Sequence, residues 1–231
     1  MKSYKHILFD LDHTLWDFER NSSEALIEVY NIFNFSKVDK FGSSAFVNQF
    51  KEVNANLWDQ YNHDKIDQEY LRNERFKIVL AELGLKPEEV PENIGEVYLQ
   101  ICPTKGNVIP FAFEILNYLK EKYQLHIITN GFEDVQDTKL ISSNLKDYFE
   151  KVITSERVGY KKPSKEMFNK AIEWIGGDKK EFIMIGDNID TDIKGALNAD
   201  LDVVYFNPER IPHEMEVSYE VSSLNEIMLI L

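Results

Sequence analysis

The chain has very little cysteine, no long apolar run and too little positive charge to balance its acids. Its single cysteine, Cys102, excludes a disulfide framework within the chain and fits a reducing, cytoplasmic setting. No apolar run reaches the length that spans a bilayer, so no membrane partner is expected. The opening "MKSYKHILFDLD" begins like a signal peptide, but Asp10 cuts its apolar run short. A formal net charge of -14 argues against a nucleic-acid polymer as partner. It leaves room for a small phosphorylated metabolite, because the charge inside a pocket can oppose the global sign. There is no internal repeat and no low-complexity linker. The 231 residues are 43% hydrophobic and 29% charged, ordinary for a globular protein of one or two domains.

From residue 20 to about 102, apolar residues recur at helical spacing. Leu26, Val29, Tyr30 and Phe33 form one set; Phe46, Phe50, Val53 and Leu57 another; Phe76, Val79, Leu80 and Leu83 a third. Gly84 stops the third helix, and "LKPEEVPEN" turns into a short helix near 96–101. After "CPTKGNVIP" the pattern changes. Helices expected over about 111–123, 164–175 and 192–199 alternate with the short apolar runs "LHIIT", "KVITSE", "FIMIGD" and "DVVYF". "HILFD" near the start belongs with these runs. Such alternation indicates βαβ units and a parallel sheet. The expected assembly is an α/β core from residues 1–16 and 104–231, with a helical insertion over 17–103.

Ligands of open parallel sheets bind at the carboxyl ends of the strands. Here the first strand runs into Asp10 and Asp12, the second into Thr129, Asn130 and Gly131, and the fourth into Gly186 and Asp187. Lys161, Lys162 and Pro163 follow the third. Paired carboxylates at the end of a buried strand are costly unless something neutralises them. A hard dication with oxygen ligands, Mg²⁺, would do so. A hydroxyl and an ammonium suit phosphoryl oxygens, and a carboxylate can attack phosphorus to form an aspartyl-phosphate. Singly, each of these residues also fits a solvated strand end or turn. "GDNIDTD" lacks the later glycine and glutamate of a calcium loop and follows a strand rather than a helix.

Four stretches, in order, resemble the motifs of the haloacid dehalogenase-like superfamily in its phosphatase branch: "DLDHT", "ITNG", "YKKPS" and "GDNIDTD". The resemblance spans residue 7 to about 192. It implies a doubly wound, mainly parallel α/β core with an inserted α-helical cap. It makes Asp10 the nucleophile and a metal ligand. Asp12 becomes the general acid/base, with its backbone carbonyl also on the metal. Thr129 and Lys162 would hold phosphoryl oxygens, with Asn130 grouped beside them as substrate-binding. Asp187 would be a further Mg²⁺ ligand, and Asp192 would orient waters or Lys162. His13 stands where many members carry glycine, with little consequence expected. Dehalogenases of the superfamily lack the second aspartate, so Asp12 argues against that reaction.

"VNANLWDQY", "ERF", "IITNGF" and "ERVGYKKP" are similar to stretches of the bacterial house-cleaning pyrimidine nucleotidases. That likeness implies a nucleoside monophosphate 5'-nucleotidase, with Trp58, Tyr61 or Phe76 available to stack on a base. Trp58 and Phe76 are the specificity candidates, although residues at such helical spacing are more often cap packing. The alternatives are a sugar-phosphate or phosphoglycolate phosphatase, a phosphomutase needing a bisphosphate activator, and a non-catalytic binding protein. The intact set Asp10, Asp12, Thr129, Lys162 and Asp187 speaks against the last.

Overall fold

The computed structural model describes residues 4–38 and 40–231. Six strands form one sheet: β1 (His6–Phe9), β2 (Gln124–Thr129), β3 (Lys151–Thr154), β4 (Phe182–Gly186), β5 (Asp202–Phe206) and β6 (Tyr219–Val221). Their order is β3-β2-β1-β4-β5-β6, and every neighbouring pair is parallel. The sheet is thus wholly rather than mainly parallel among the described residues. Leu8, Ile128 and Met184 point to one face and pack on Met167, Phe168 and Ala171. The alternate residues Ile7, Phe9, Ile183 and Ile185 are fully buried too. Burial on both faces is why these strands read as continuous apolar runs. The order reverses between β1 and β4, where such a sheet opens a crevice at its strand ends.

Nine helices accompany the sheet among the described residues: α1 (Phe18–Ile32), α2 (Ser43–Asn62), α3 (Gln68–Glu82), α4 (Ile94–Ile101), α5 (Ala112–Leu119), α6 (Glu133–Ser142), α7 (Ser155–Val158), α8 (Lys165–Ile175) and α9 (Lys194–Asn198). Short side-chain caps start several of them, as in Asp67 accepting from Tyr70 N and Ser164 from Glu166 N. The helix expected over 192–199 begins differently. A π-helical turn, Ile189–Ile193, precedes α9: Ile193 N donates five residues back to Asn188 O at 3.2 Å, and Asn188 Oδ1 caps the turn by accepting from Asp190 N and Thr191 N. Strand β6 was not expected. Two of its three residues are exposed, so it carries no apolar run.

The chain divides into two compact units, Met1–Phe18 with Gly106–Leu231, and Glu19–Lys105. In the helical unit the apolar stripes of α2 and α3 meet around aromatic rings. Phe76 is 2% exposed and packs on Phe46, Phe50 and Tyr98. That corrects its candidacy as a base-stacking residue, for no ring face is left open. Arg75 is buried beside it, with its guanidinium over the rings of Phe50, Phe76 and Tyr98 and Nη1 donating to Asn54 Oδ1 at 3.0 Å. No helix among the described residues is long and apolar enough to cross a membrane.

At the opposite end of the central strands from the candidate catalytic residues, His126 is fully buried with Nε2 3.3 Å from His6 Nδ1. Burial, then the nearby His6 and Lys151, pulls its pKa from 6.5 down to about 4. The unfolded chain therefore takes up a proton near pH 6.5 that the folded chain refuses. The resulting stability is complete above 6.5 and is lost as pH falls toward 4. Chemical denaturation of the wild type and of His126→Gln between neutral and acid pH should show the wild type losing more. Parallel curves would remove His126 as the source.

Candidate active site

Register brings the predicted groups together. Phe9 pairs with Ile127 and with Ile185, so Asp10, one step on, leaves β1 between β2 and β4. Asp10 N donates to Ile185 O at 2.9 Å. The Lys162 ammonium reaches the same point from the turn before α8. It donates to Asp10 Oδ1 at 2.5 Å, to Ile128 O at 2.9 Å, and pairs with Asp192 Oδ1 at 2.7 Å. Three donors meet three acceptors, and the side chain is only 2% exposed. Burying an ammonium is tolerable only with such partners.

Asp192 approaches Asp10 because the strand ends in glycine. A Cβ at Gly186 would lie 2.7 Å from both Cβ and Cγ of Asp192. Asn188 N holds the other Asp192 oxygen at 3.1 Å. Asp187 is fixed from the first loop, with Thr14 Oγ1 donating to its Oδ1 at 2.7 Å. Asp10, Asp187 and Asp192 can each present an oxygen within 4.8 Å of the others. Burial raises the Asp10 carboxyl well above its usual range. Lys162 opposes that rise, while Asp192 and Asp187 add to it. Burial and then Asp192 push Asp187 up to about 7. Burial pulls Lys162 down, but Asp10 and Asp192 more than offset it and hold the ammonium above its ordinary range.

Three carboxylates, those of Asp10 and Asp192 buried and that of Asp187 partly so, against one ammonium leave a surplus of negative charge, and all the offered ligands are hard oxygens. This donor set fits Mg²⁺. Asp192 spends its oxygens on Lys162 and the Asn188 amide, which leaves Asp10 and Asp187 better able to take the ion.

The remaining predicted residues are placed less uniformly. Thr129 is 2% exposed, and its Oγ1 accepts from Gly131 N at 2.9 Å, a bond that leaves the hydroxyl proton available to donate. Asn130 turns its side chain to the backbone of Lys162. Its Nδ2 donates to Lys162 O at 2.9 Å and its Oδ1 accepts from Lys162 N at 2.8 Å. Both ends of the amide thus bond to the backbone of Lys162. The Asp12 carboxylate stands apart from the three-carboxylate cluster and accepts from Lys139 with both oxygens, at 2.6 and 2.8 Å. Trp58 is partly exposed and meets Tyr61 edge-on at 5.4 Å.

Sequence reasoning missed Lys139, Thr14 and Asn188. For Lys139 there was a signal. It lies on the face of α6 that carries the buried Gln136 and Leu140, and a charge on a buried helix face asks for a partner. Thr14 and Asn188 give no such signal, because their bonds are to groups whose positions only the fold sets.

The model of the haloacid dehalogenase-like hydrolases matches residues 4–200. The chain is 31% identical to the HAD-hydrolase YfnB of Bacillus subtilis, across 100% of this chain and 97% of that one. It is 30% identical to the pyrimidine 5'-nucleotidase PynA of Streptococcus pneumoniae, covering 97% and 94%, and 31% to the pyrimidine 5'-nucleotidase YjjG of Escherichia coli, covering 96% and 95%. The crystal structure of YfnB, described as bound to magnesium, superposes with a TM-score of 0.88 at 29% identity over 99% of both chains. With a family match over most of its length and the same fold in a solved member, the chain belongs to the haloacid dehalogenase-like hydrolases.

Proposed function

We propose that this hydrolase is a Mg²⁺-dependent phosphatase of small phosphate monoesters, acting through an aspartyl-phosphate on Asp10, and that its substrates are pyrimidine nucleoside monophosphates. The carrying observation is the cluster of Asp10, Asp187 and Asp192 beside one buried ammonium at the sheet's switch point. Near-full-length likeness to two pyrimidine 5'-nucleotidases supports the substrate class.

In this reading Asp10 Oδ attacks phosphorus, the ester bond breaks, and Asp12 gives its proton to the leaving oxygen. Asp12 then takes a proton from water as that water attacks the aspartyl-phosphate. Inorganic phosphate leaves and the Asp10 carboxylate is restored. Thr129 Oγ1 donates to a phosphoryl oxygen. Lys162 balances Asp10 and Asp192 and can turn one donor toward the phosphoryl group. Asp10, Asp187 and the Asp12 carbonyl would hold Mg²⁺, which when bound offsets repulsion between the carboxylates and the phosphoryl group. Asp12 favours this chemistry over halide displacement, because a halide leaves without a proton.

These groups meet only the phosphoryl end, which every monoester shares. Selectivity falls to the helical unit, read as a cap, and with Phe76 buried the stacking role passes to Trp58. In a screen with Mg²⁺, kcat/KM for UMP, dUMP and dTMP should exceed that for sugar phosphates and phosphoglycolate. Trp58→Ala should narrow that preference by about ten- to a hundred-fold, the range of a base-stacking contact. It should do so with little effect on a small aryl phosphate. If sugar phosphates win, the nucleotidase reading falls and the phosphatase reading stands. Phosphate retained on the enzyme until a bisphosphate is added would mark a mutase instead.

A further inference from the structure

We propose that Lys139 is a positioning residue for the Asp12 carboxylate, a role that rests on the phosphatase reading above. A lysine side chain ordinarily keeps its ammonium in water, whereas Lys139 is 7% exposed. Its Nζ is accounted for on two sides. Both Asp12 oxygens accept from it, at 2.6 and 2.8 Å, and it lies 4.6 Å from the centroid of the Trp16 ring. Trp16 is itself fully buried. Its backbone is bridged to Asp12 on one side and to Val108 on the other, and its carbonyl accepts from His13 N at 2.9 Å. Lys139 is in turn carried by α6, the helix that follows Thr129 and Asn130. Its carbonyl accepts from Ser143 Oγ at 2.6 Å.

An aspartate beyond the end of a strand has two side-chain torsions to spend. General acid–base catalysis needs its oxygen within hydrogen-bond reach of one atom of the substrate. The ammonium removes that freedom. Lys139 can keep one Asp12 oxygen while the other turns to the leaving oxygen, so the carboxylate is aimed rather than sequestered. The ring face of Trp16 and the packing of α6 fix where the ammonium stands. The geometry therefore ties the first motif to the helix after the second through a residue that belongs to neither.

The experiment compares kcat/KM for UMP, an alkyl phosphate, with that for p-nitrophenyl phosphate in wild type, Lys139→Met and Lys139→Arg. This parameter covers steps only through phosphoryl transfer, so hydrolysis of the phosphoenzyme does not enter. An aryloxide leaves without a proton; an alkoxide does not. Lys139→Met should lower UMP turnover by ~10- to 100-fold more than aryl turnover, up to the lower range of acid–base effects. Lys139→Arg, which keeps a cation that can fork onto both oxygens and stack on Trp16, should recover most of the loss. In the Asp12→Asn background, Lys139→Met should add no further discrimination between the two substrates. Equal loss on both substrates, or an undiminished selective loss on top of Asp12→Asn, would overturn the proposal. If Lys139→Met does not fold, Lys139→Gln takes its place in the same comparison. Wild-type protein that releases phosphate from neither ester would overturn the phosphatase reading and this proposal with it. Equal losses in the variants of an active wild type would reject only the role of Lys139.

Discussion

Asp10→Asn is expected to abolish phosphate release and the phosphoenzyme together, by more than the ~10⁴-fold upper range of a lost acid–base group. A carboxamide oxygen is a poor nucleophile toward phosphorus, and it removes one of the cluster's candidate metal ligands. The variant should nevertheless fold. The cluster holds three carboxylates, two of them buried, and one ammonium, and burial already pushes the Asp10 carboxyl well above its usual range. A neutral amide at this position removes a charge the metal-free fold holds at a cost. The thermal midpoint in EDTA should therefore not fall. Wild-type turnover in a deamidation-free preparation would reject Asp10 as the nucleophile. A large drop in midpoint would mean that inactivity reflects unfolding and that the charge reading of the cluster is wrong.

Chelation of divalent cations should eliminate activity, and added Mg²⁺ should restore it. The pH dependence of that effect has a defined sign. Asp187 is raised from 3.8 to about 7, so the folded chain retains a proton that the unfolded chain has lost. The metal-free protein should lose stability as pH rises through that interval. A protonated carboxyl is not a ligand, so Mg²⁺ binding must displace the proton and should weaken about tenfold per pH unit below 7. The rise in thermal midpoint on adding Mg²⁺ should thus be larger at pH 8 than at pH 6, a readout independent of turnover. Asp187→Asn should shrink that rise and remove most of its pH dependence. Full activity in EDTA would sink the metal reading. A rise that does not change with pH would detach Asp187 from the ion.

By itself the sequence determined the sheet and the rough location of its candidate site. Runs such as "HILF" and "FIMIG" are apolar on both faces, and only strands covered by helices on both sides need that. Polar residues directly after such runs mark the strand ends, where a parallel sheet binds its ligands. Asp10, Thr129 and Asp187 could be picked out as candidates for that reason, whereas Lys162, in the turn after α7, could be picked out only from the resemblance of "YKKPS" to a family motif. The aromatic periodicity of α2 and α3 announced a helical unit but not which rings would be covered. Phe76 and Trp58 read alike along the chain, and only packing buried one and left the other partly exposed.

Tertiary structure alone decided what each polar side chain touches. The Asn130 amide is satisfied by the backbone of Lys162, 32 positions away, and Thr14 reaches Asp187 across 173. Such pairings follow from register between neighbouring strands, which no local pattern encodes. The same holds for Asp12. Its motif identified it as a partner of Asp10, whereas the fold set it against Lys139, 127 positions on. The reason is energetic: a buried polar group must find a partner, and the chain can supply it from any distance once the core has packed.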